Sequence, residues 1–154
     1  MNKLNPYYVT GFAEGEGSFY VGISPRLKNR IGWEVRASFS LSQHERDSNL
    51  VYLVQDFFRC GAVRFNKSDN TLKYEVRGIK DLVDKIIPHF RRYPLRGKKK
   101  KDFAIFVRVI NLILEGKHLE RAGLRKIVGL SQKMRIRNKW RIKSLKRIYT
   151  LLKE

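Results

Sequence analysis

Acidic residues, cysteine and proline are scarce in this chain. Fourteen Asp and Glu stand against 34 Lys and Arg in 154 residues, a formal charge of +20. Cysteine occurs once, which excludes an internal disulfide framework and a cysteine-rich zinc module. Cys60 is expected to be a small buried apolar residue without redox chemistry. Four prolines beside 42% apolar residues argue against wholesale disorder. Long hydrophobic runs are missing too. The longest, Phe103 to Leu114, is broken by Arg108 and Asn111, and the opening Met-Asn-Lys-Leu-Asn-Pro lacks the apolar stretch of a secretory signal. The expectation is a soluble, intracellular protein with no membrane partner. His44, His89 and His118 lack ligand spacing and are expected in structural or surface roles.

Twenty excess positive charges repel one another within one fold, so a polyanion must balance them, either nucleic acid or an anionic membrane surface. Nucleic acid is the expected partner; a generic basic protein of the ribosomal kind is the plain alternative. The charge is uneven. Seven of the eleven positions from Arg91 to Lys101 are basic, and Arg121 to Lys153 holds twelve Lys or Arg and no acid.

Hydrophobic spacing alternates between two periods. Leu50, Leu53, Val54, Phe57 and Phe58, after a cap at Asp47 or Ser48, recur at helical spacing; so do Leu82, Val83, Ile86, Ile87 and Phe90, and Phe103, Phe106, Val107, Ile110, Ile113 and Leu114 before Gly116. Between them the period is two. Phe19, Val21 and Ile23 alternate with Ser18, Tyr20, Gly22 and Ser24, and Val35, Ala37, Phe39 and Leu41 with Glu34, Arg36, Ser38, Ser40 and Ser42, which predicts one hairpin. Ala62 to Asn66 and Leu72 to Val76, joined by a turn at Ser68, Asp69 and Asn70, predict a second. With a short helix from about Pro6 to Glu14, capped by Asn5, the order is αββαββα, an α+β fold in which antiparallel strands are backed by helices. The expected organisation is a core over residues 1–116 and a basic helical extension over 117–154, where Ile142, Leu145, Ile148, Tyr149 and Leu152 predict a docked helix that Trp140 helps to anchor.

The strand face turned away from the helices carries Tyr20, Ser24, Arg26, Lys28, Arg30, Arg36, Ser38, Ser40, Arg64, Asn66, Lys73, Glu75 and Arg77. Long donors and hydroxyls on adjacent strands suit base edges and phosphates in a major groove, although an ordinary solvated sheet face has the same alternation.

The segment richest in chemistry is Asn5-Pro6-Tyr7-Tyr8-Val9-Thr10-Gly11-Phe12-Ala13-Glu14-Gly15-Glu16-Gly17-Ser18-Phe19. Gly11 inside a helix costs about 1 kcal/mol relative to alanine, and with Gly15 it leaves one helix face bare of side chains, where another backbone can approach closely. Glu14 and Glu16 stand at the unfavourable carboxyl end of the helix dipole, which implies a bound cation there. Mg²⁺ fits best, since hard divalent ions take carboxylate and carbonyl oxygens and assist phosphodiester hydrolysis. Two solvated acids in a glycine-rich turn are the plain alternative.

Val9-Thr10-Gly11-Phe12-Ala13-Glu14-Gly15-Glu16-Gly17 resembles the nine-residue motif of the LAGLIDADG homing endonucleases, with Glu at both Asp positions. Tyr93-Pro94-Leu95, the lysine run Lys98 to Lys101 and the order of elements resemble the same intron-encoded family, over about residues 5 to 115. The resemblance implies a metal-dependent endonuclease that cuts both strands of a long double-stranded DNA target across the minor groove, leaving short 3′ overhangs. It implies Glu16 and the Gly15 carbonyl as ligands of Mg²⁺, or of another divalent ion such as Mn²⁺, with no other small-molecule cofactor. It points to Gln43 as the residue that positions water, and to Lys98, with Lys99 as the alternative, as the basic residue of the hydrolytic site. An arginine that supports the site from behind in some members has no clear counterpart, since Asp47 rather than Arg46 falls closer to the expected spacing.

With a single motif per chain, cutting two strands calls for a homodimer joined through Gly11 and Gly15 and reading a near-palindromic site. Lys133, Arg135, Arg137, Lys139, Arg141 and Lys143 are expected to add phosphate contacts. The compartment implied is an organelle or a bacterial or archaeal cytoplasm. An RNA maturase assisting intron splicing and a catalytically silent DNA-binding module are the alternatives on the same fold.

Overall fold

The computed structural model describes residues 3–136 and 138–154, so the phosphate contact expected of Arg137 lies outside the described residues. Asn5 accepts the backbone N–H of Tyr7 at 2.8 Å and starts helix α1, Pro6–Glu16, with proline in the first turn. Strand β1, Gly17–Pro25, follows with no intervening residue. Then come β2 (Trp33–His44), a turn of 3₁₀ helix, α2 (Ser48–Phe58), β3 (Ala62–Asn66) and β4 (Thr71–Val76). The four strands form one sheet in the order β1-β2-β4-β3. Helices α3 (Ile79–Asp81) and α4 (Ile87–Arg92) flank a π-helical turn, Leu82–Ile86. The sequence periodicity predicts an unbroken helix there. Pro88 lacks the N–H that would close the α register and its ring crowds the carbonyl four residues back, and the widened turn just ahead of it relieves that conflict. Last are α5 (Lys99–Leu114), α6 (Arg121–Gln132) and α7 (Lys139–Leu151). The α+β class and the αββαββα order stand as expected.

The chain divides into two compact units, each built from two segments: residues 1–20 with 38–100, and residues 21–37 with 101–154. In the first unit, Phe39, Leu41, Tyr74 and Val76 share the inner strand face and are at most 1% exposed. Phe58 of α2 and Phe90 of α4 pack edge-on against Phe39, with ring centroids 6.1 and 5.3 Å away. Cys60, expected buried, is only half-buried, its sulfur 3.8 Å from the Tyr74 hydroxyl just past the end of α2.

In the second unit, Leu124 and Val128 of α6 meet Leu145, Ile148 and Leu152 along α7, and the hairpin residues Ile23, Ile31, Trp33 and Val35 pack on that cluster. Trp140 does not anchor the helix. It is 82% exposed, because a position five residues before Leu145 lies about 140° around the helix from the buried stripe. Arg141 ties α7 down instead, donating to the Val21 carbonyl of β1.

Candidate active site and nucleic-acid interface

Helix α1 buries Val9, Thr10 and Ala13 and leaves Tyr7, Tyr8, Gly11 and Gly15 exposed. A Cβ built at Gly11 or Gly15 meets nothing within 4 Å, so no neighbour in this chain requires glycine at either position. Gly17 is different: a Cβ there would stand 2.6 Å from the Ala13 carbonyl oxygen, and its own N–H closes the helix onto that same oxygen. Thr10 fixes the buried side. Its hydroxyl donates to the Tyr93 carbonyl at 2.9 Å, so the 3.1 Å contact with His89 leaves the Nε2–H of the imidazole as donor. Burial pushes the His89 pKa down from 6.5 to about 4, keeping the ring neutral.

The two acids at the end of α1 behave differently. Glu14 Oε1 accepts the backbone N–H of Arg96 and, at 2.8 Å, that of Gly97. A Cβ at Gly97 would lie 2.8 Å from Glu14 Oε2, so any larger residue there would push the carboxylate aside. Glu16 is exposed and has no hydrogen-bond or ion-pair partner among the described residues. The cation called for by the helix dipole is supplied within the chain. Lys99 Nζ donates to the carbonyls of Ala13, Glu14 and Gly15 at 3.0, 2.8 and 3.2 Å, neutralising the carboxyl end of α1. Lys98, the preceding residue, is exposed in the turn before α5. The contacts of Glu14 and Lys99 span more than eighty residues, and no spacing rule in the sequence reports them.

Gln43 stands opposite Leu72 near the end of β2, on the sheet face of Leu41, and its Oε1 accepts the N–H of His44 at 3.3 Å. It is thus on the opposite sheet face from Ser40 and Ser42. Among the described residues no three His, Cys, Asp or Glu side chains converge as a metal-holding group.

On the outer strand face of the first unit, Tyr20, Arg64, Asn66, Lys73 and Arg77 are exposed, and Arg64 pairs in register with Lys73. Ser38 and Ser40 point to this face but are only 6% and 7% exposed, so they do not present their hydroxyls as expected. They are short side chains on a central strand, with Ser40 directly opposite the longer Glu75. Glu75 binds Lys73 at 3.1 Å and Arg77 at 2.8 Å. Burial works to raise its pKa, but the two cations outweigh it and hold the carboxyl below the usual range.

In the second unit Ser24, Lys28, Arg30 and Lys139 are exposed, and Glu34 clasps Arg26 at 2.5 Å and Arg36 at 3.0 Å. The hydrogen bond from Arg36, with the charge of Arg26, lowers the Glu34 pKa. The organising role of Glu34 went unseen in the sequence; its i+2 spacing from Arg36 along one strand face is the signal that marks it.

Residues 9–110 match the family model of the LAGLIDADG endonucleases. The chain belongs to that family. It is 38% identical over 126 residues to the probable intron-encoded endonuclease 2 of Neurospora crassa, covering 81% of this chain and 28% of that protein. The chain spans about a quarter of the length of the first curated relatives it matches. Among solved structures, the homing endonuclease I-TnaI superposes with a TM-score of 0.90 at 35% identity, covering 97% of this chain and 99% of that one. The LAGLIDADG homing endonuclease I-LtrWI, solved bound to target DNA, superposes at 0.85 and 34% identity, covering 88% of this chain and 45% of that one. Among the described residues no helix is long and apolar enough to cross a membrane.

Proposed function

We propose that the chain is one half of a site-specific DNA endonuclease, in which two copies pair along the exposed face of α1 at Gly11 and Gly15. The observation that carries this reading is Glu16: an exposed carboxylate with no partner among the described residues, in a chain of 34 cations, at the end of the motif helix. The comparisons support it in two sizes. I-TnaI matches this chain nearly end to end, whereas this chain covers 45% of the DNA-bound I-LtrWI chain, as half of a doubled protein would. Each copy would read half of a near-palindromic duplex through its outer strand faces.

The Glu16 carboxylate and the Gly15 carbonyl are hard oxygen donors; the carbonyl keeps a second lone pair beside the 3.2 Å bond from Lys99, so the two fit Mg²⁺ or Mn²⁺ that keeps most of its waters. When bound, such an ion activates water and stabilises the leaving oxygen. The chain's own residues do the rest. Lys99 holds the end of α1 in place, Lys98 meets the scissile phosphate, Gln43 orients water from the strand end, and Arg64, Asn66, Lys73 and Arg77, with Arg26 and Arg36, fix the duplex. Relatives described as intron-encoded support expression from an intron, within an organelle or cytoplasm.

The test is cleavage selection on a randomised duplex library with Mg²⁺, alongside sedimentation of the free protein. Cleaved near-palindromic sites and a two-chain mass are expected, and Glu16→Gln is expected to lose cleavage while keeping duplex affinity. A Glu16→Gln protein that cuts at the wild-type rate overturns the assignment.

A further inference from the structure

The strand faces do not use all of the charge. In the second unit, helices α5, α6 and α7 enclose an open groove of about 610 Å³ whose lining includes Arg108, Arg125, Lys126, Lys133, Gln132 and Tyr149 and no carboxylate. None of its four cations has an ion-pair partner among the described residues, in contrast to Arg26 and Arg36 of the same unit. Lys153 adds a further charge, its ammonium 5.0 Å from the centre of the Tyr149 ring.

The groove lies on the far side of α6 from the strands. Leu124 and Val128 face the hairpin through the apolar cluster, whereas Lys126 and Lys133 sit about 140–200° around the helix from them and Arg125 and Gln132 about 40–100°, on its flank. A helix about 10 Å across, and a layer spacing of about 10 Å beneath it, separate the groove from a duplex held on the outer strand face. Lys126 and Lys133 therefore lie behind the face proposed to hold the duplex.

We propose that this groove binds a second nucleic-acid segment, single-stranded, by its phosphate backbone. Four cations without an ion-pair partner among the described residues, in a groove with no carboxylate, attract a phosphate backbone, and a groove of about 610 Å³ takes in a stretch of one strand rather than the body of a duplex. The amide of Gln132 supplies hydrogen bonding of the kind single strands use, and the Lys153 ammonium over the Tyr149 ring adds a further cation at the rim. The binding stands apart from duplex cleavage, being expected whether or not the strand face cuts DNA.

The probe is a fluorescein-labelled oligonucleotide of about ten nucleotides, within the usual single-strand site size, made once as RNA and once as DNA. Anisotropy titrations use the whole chain carrying Glu16→Gln, so that cleavage does not enter. Arg125→Glu with Lys126→Glu is expected to weaken oligonucleotide binding at least tenfold and to lower the log–log salt slope by about 0.7 for each lost phosphate contact, while duplex binding stays within about twofold. Arg36→Glu should do the reverse. The paired alanine variant, with less charge change, should give an intermediate loss. Tight binding of either oligonucleotide that depends on the groove supports the proposal, and the tighter one names the strand. Oligonucleotide binding that ignores the groove variants, or that falls in step with duplex binding in Arg36→Glu, overturns it.

Discussion

Glu34 and Glu75, on the strands, each hold two cations, whereas Glu16, at the end of α1, holds none. Glu14 resembles the strand acids, except that its two donors are backbone N–H groups. In a chain with so few acids, a carboxylate that its surroundings claim is an organiser, and one they leave unclaimed is available to something outside the chain. The strand acids also lower the local charge: each clasp carries two positive charges and one negative, trading attraction for defined geometry.

The largest break in this contrast is at Glu14. Glu14→Ala frees the N–H groups of Arg96 and Gly97 and loosens the turn that precedes Lys98 and Lys99, and is expected to cost about 1–2 kcal/mol in denaturant unfolding. Glu16→Gln is expected to change stability by less than about 0.5 kcal/mol, as befits an exposed residue with no partner. Equal losses at the two positions would erase the distinction.

Acid sharpens the comparison within the first unit. His89 is neutral in the fold with its pKa pushed down to about 4 from 6.5, so the unfolded chain binds more protons between those values. Stability is full above pH 6.5 and falls as the pH drops towards 4. His89→Gln is expected to flatten that fall in thermal melts across the window. The smallest effect is at Glu75. Glu75→Gln removes a charge that restrains Lys73 and Arg77, so non-specific duplex affinity should rise about two- to threefold and its salt slope steepen, while discrimination between target and non-target duplex declines. Unchanged discrimination in competition binding would show that the clasp orients nothing.

Alternating and helical periods carry the architecture in the sequence: Phe39 and Leu41 on β2, or Leu145 and Ile148 on α7, announce their buried faces without reference to anything distant. The motif likewise marks Glu16. The π-helical turn before Pro88 was illegible because the periodicity of Leu82, Ile86 and Ile87 fits an α-helix equally well, and only the missing N–H distinguishes the two. Ser38 and Ser40 were assigned to the right face but not to their depth, which depends on how long the cross-strand neighbours are. The bonds of Glu14 and Lys99 depend on a turn eighty residues away, and local pattern carries no trace of such a meeting.

Helix α1 ends at Glu16 and β1 begins at Gly17, with no loop to absorb motion between them. The peptide that finishes the helix is bonded to the one that opens the strand, and Gly17 is pressed too close to Ala13 for any side chain to act as a spacer. Carboxylate and strand therefore move as one crank. When the strand shifts or twists, the Glu16 carboxylate travels with it through a single peptide unit.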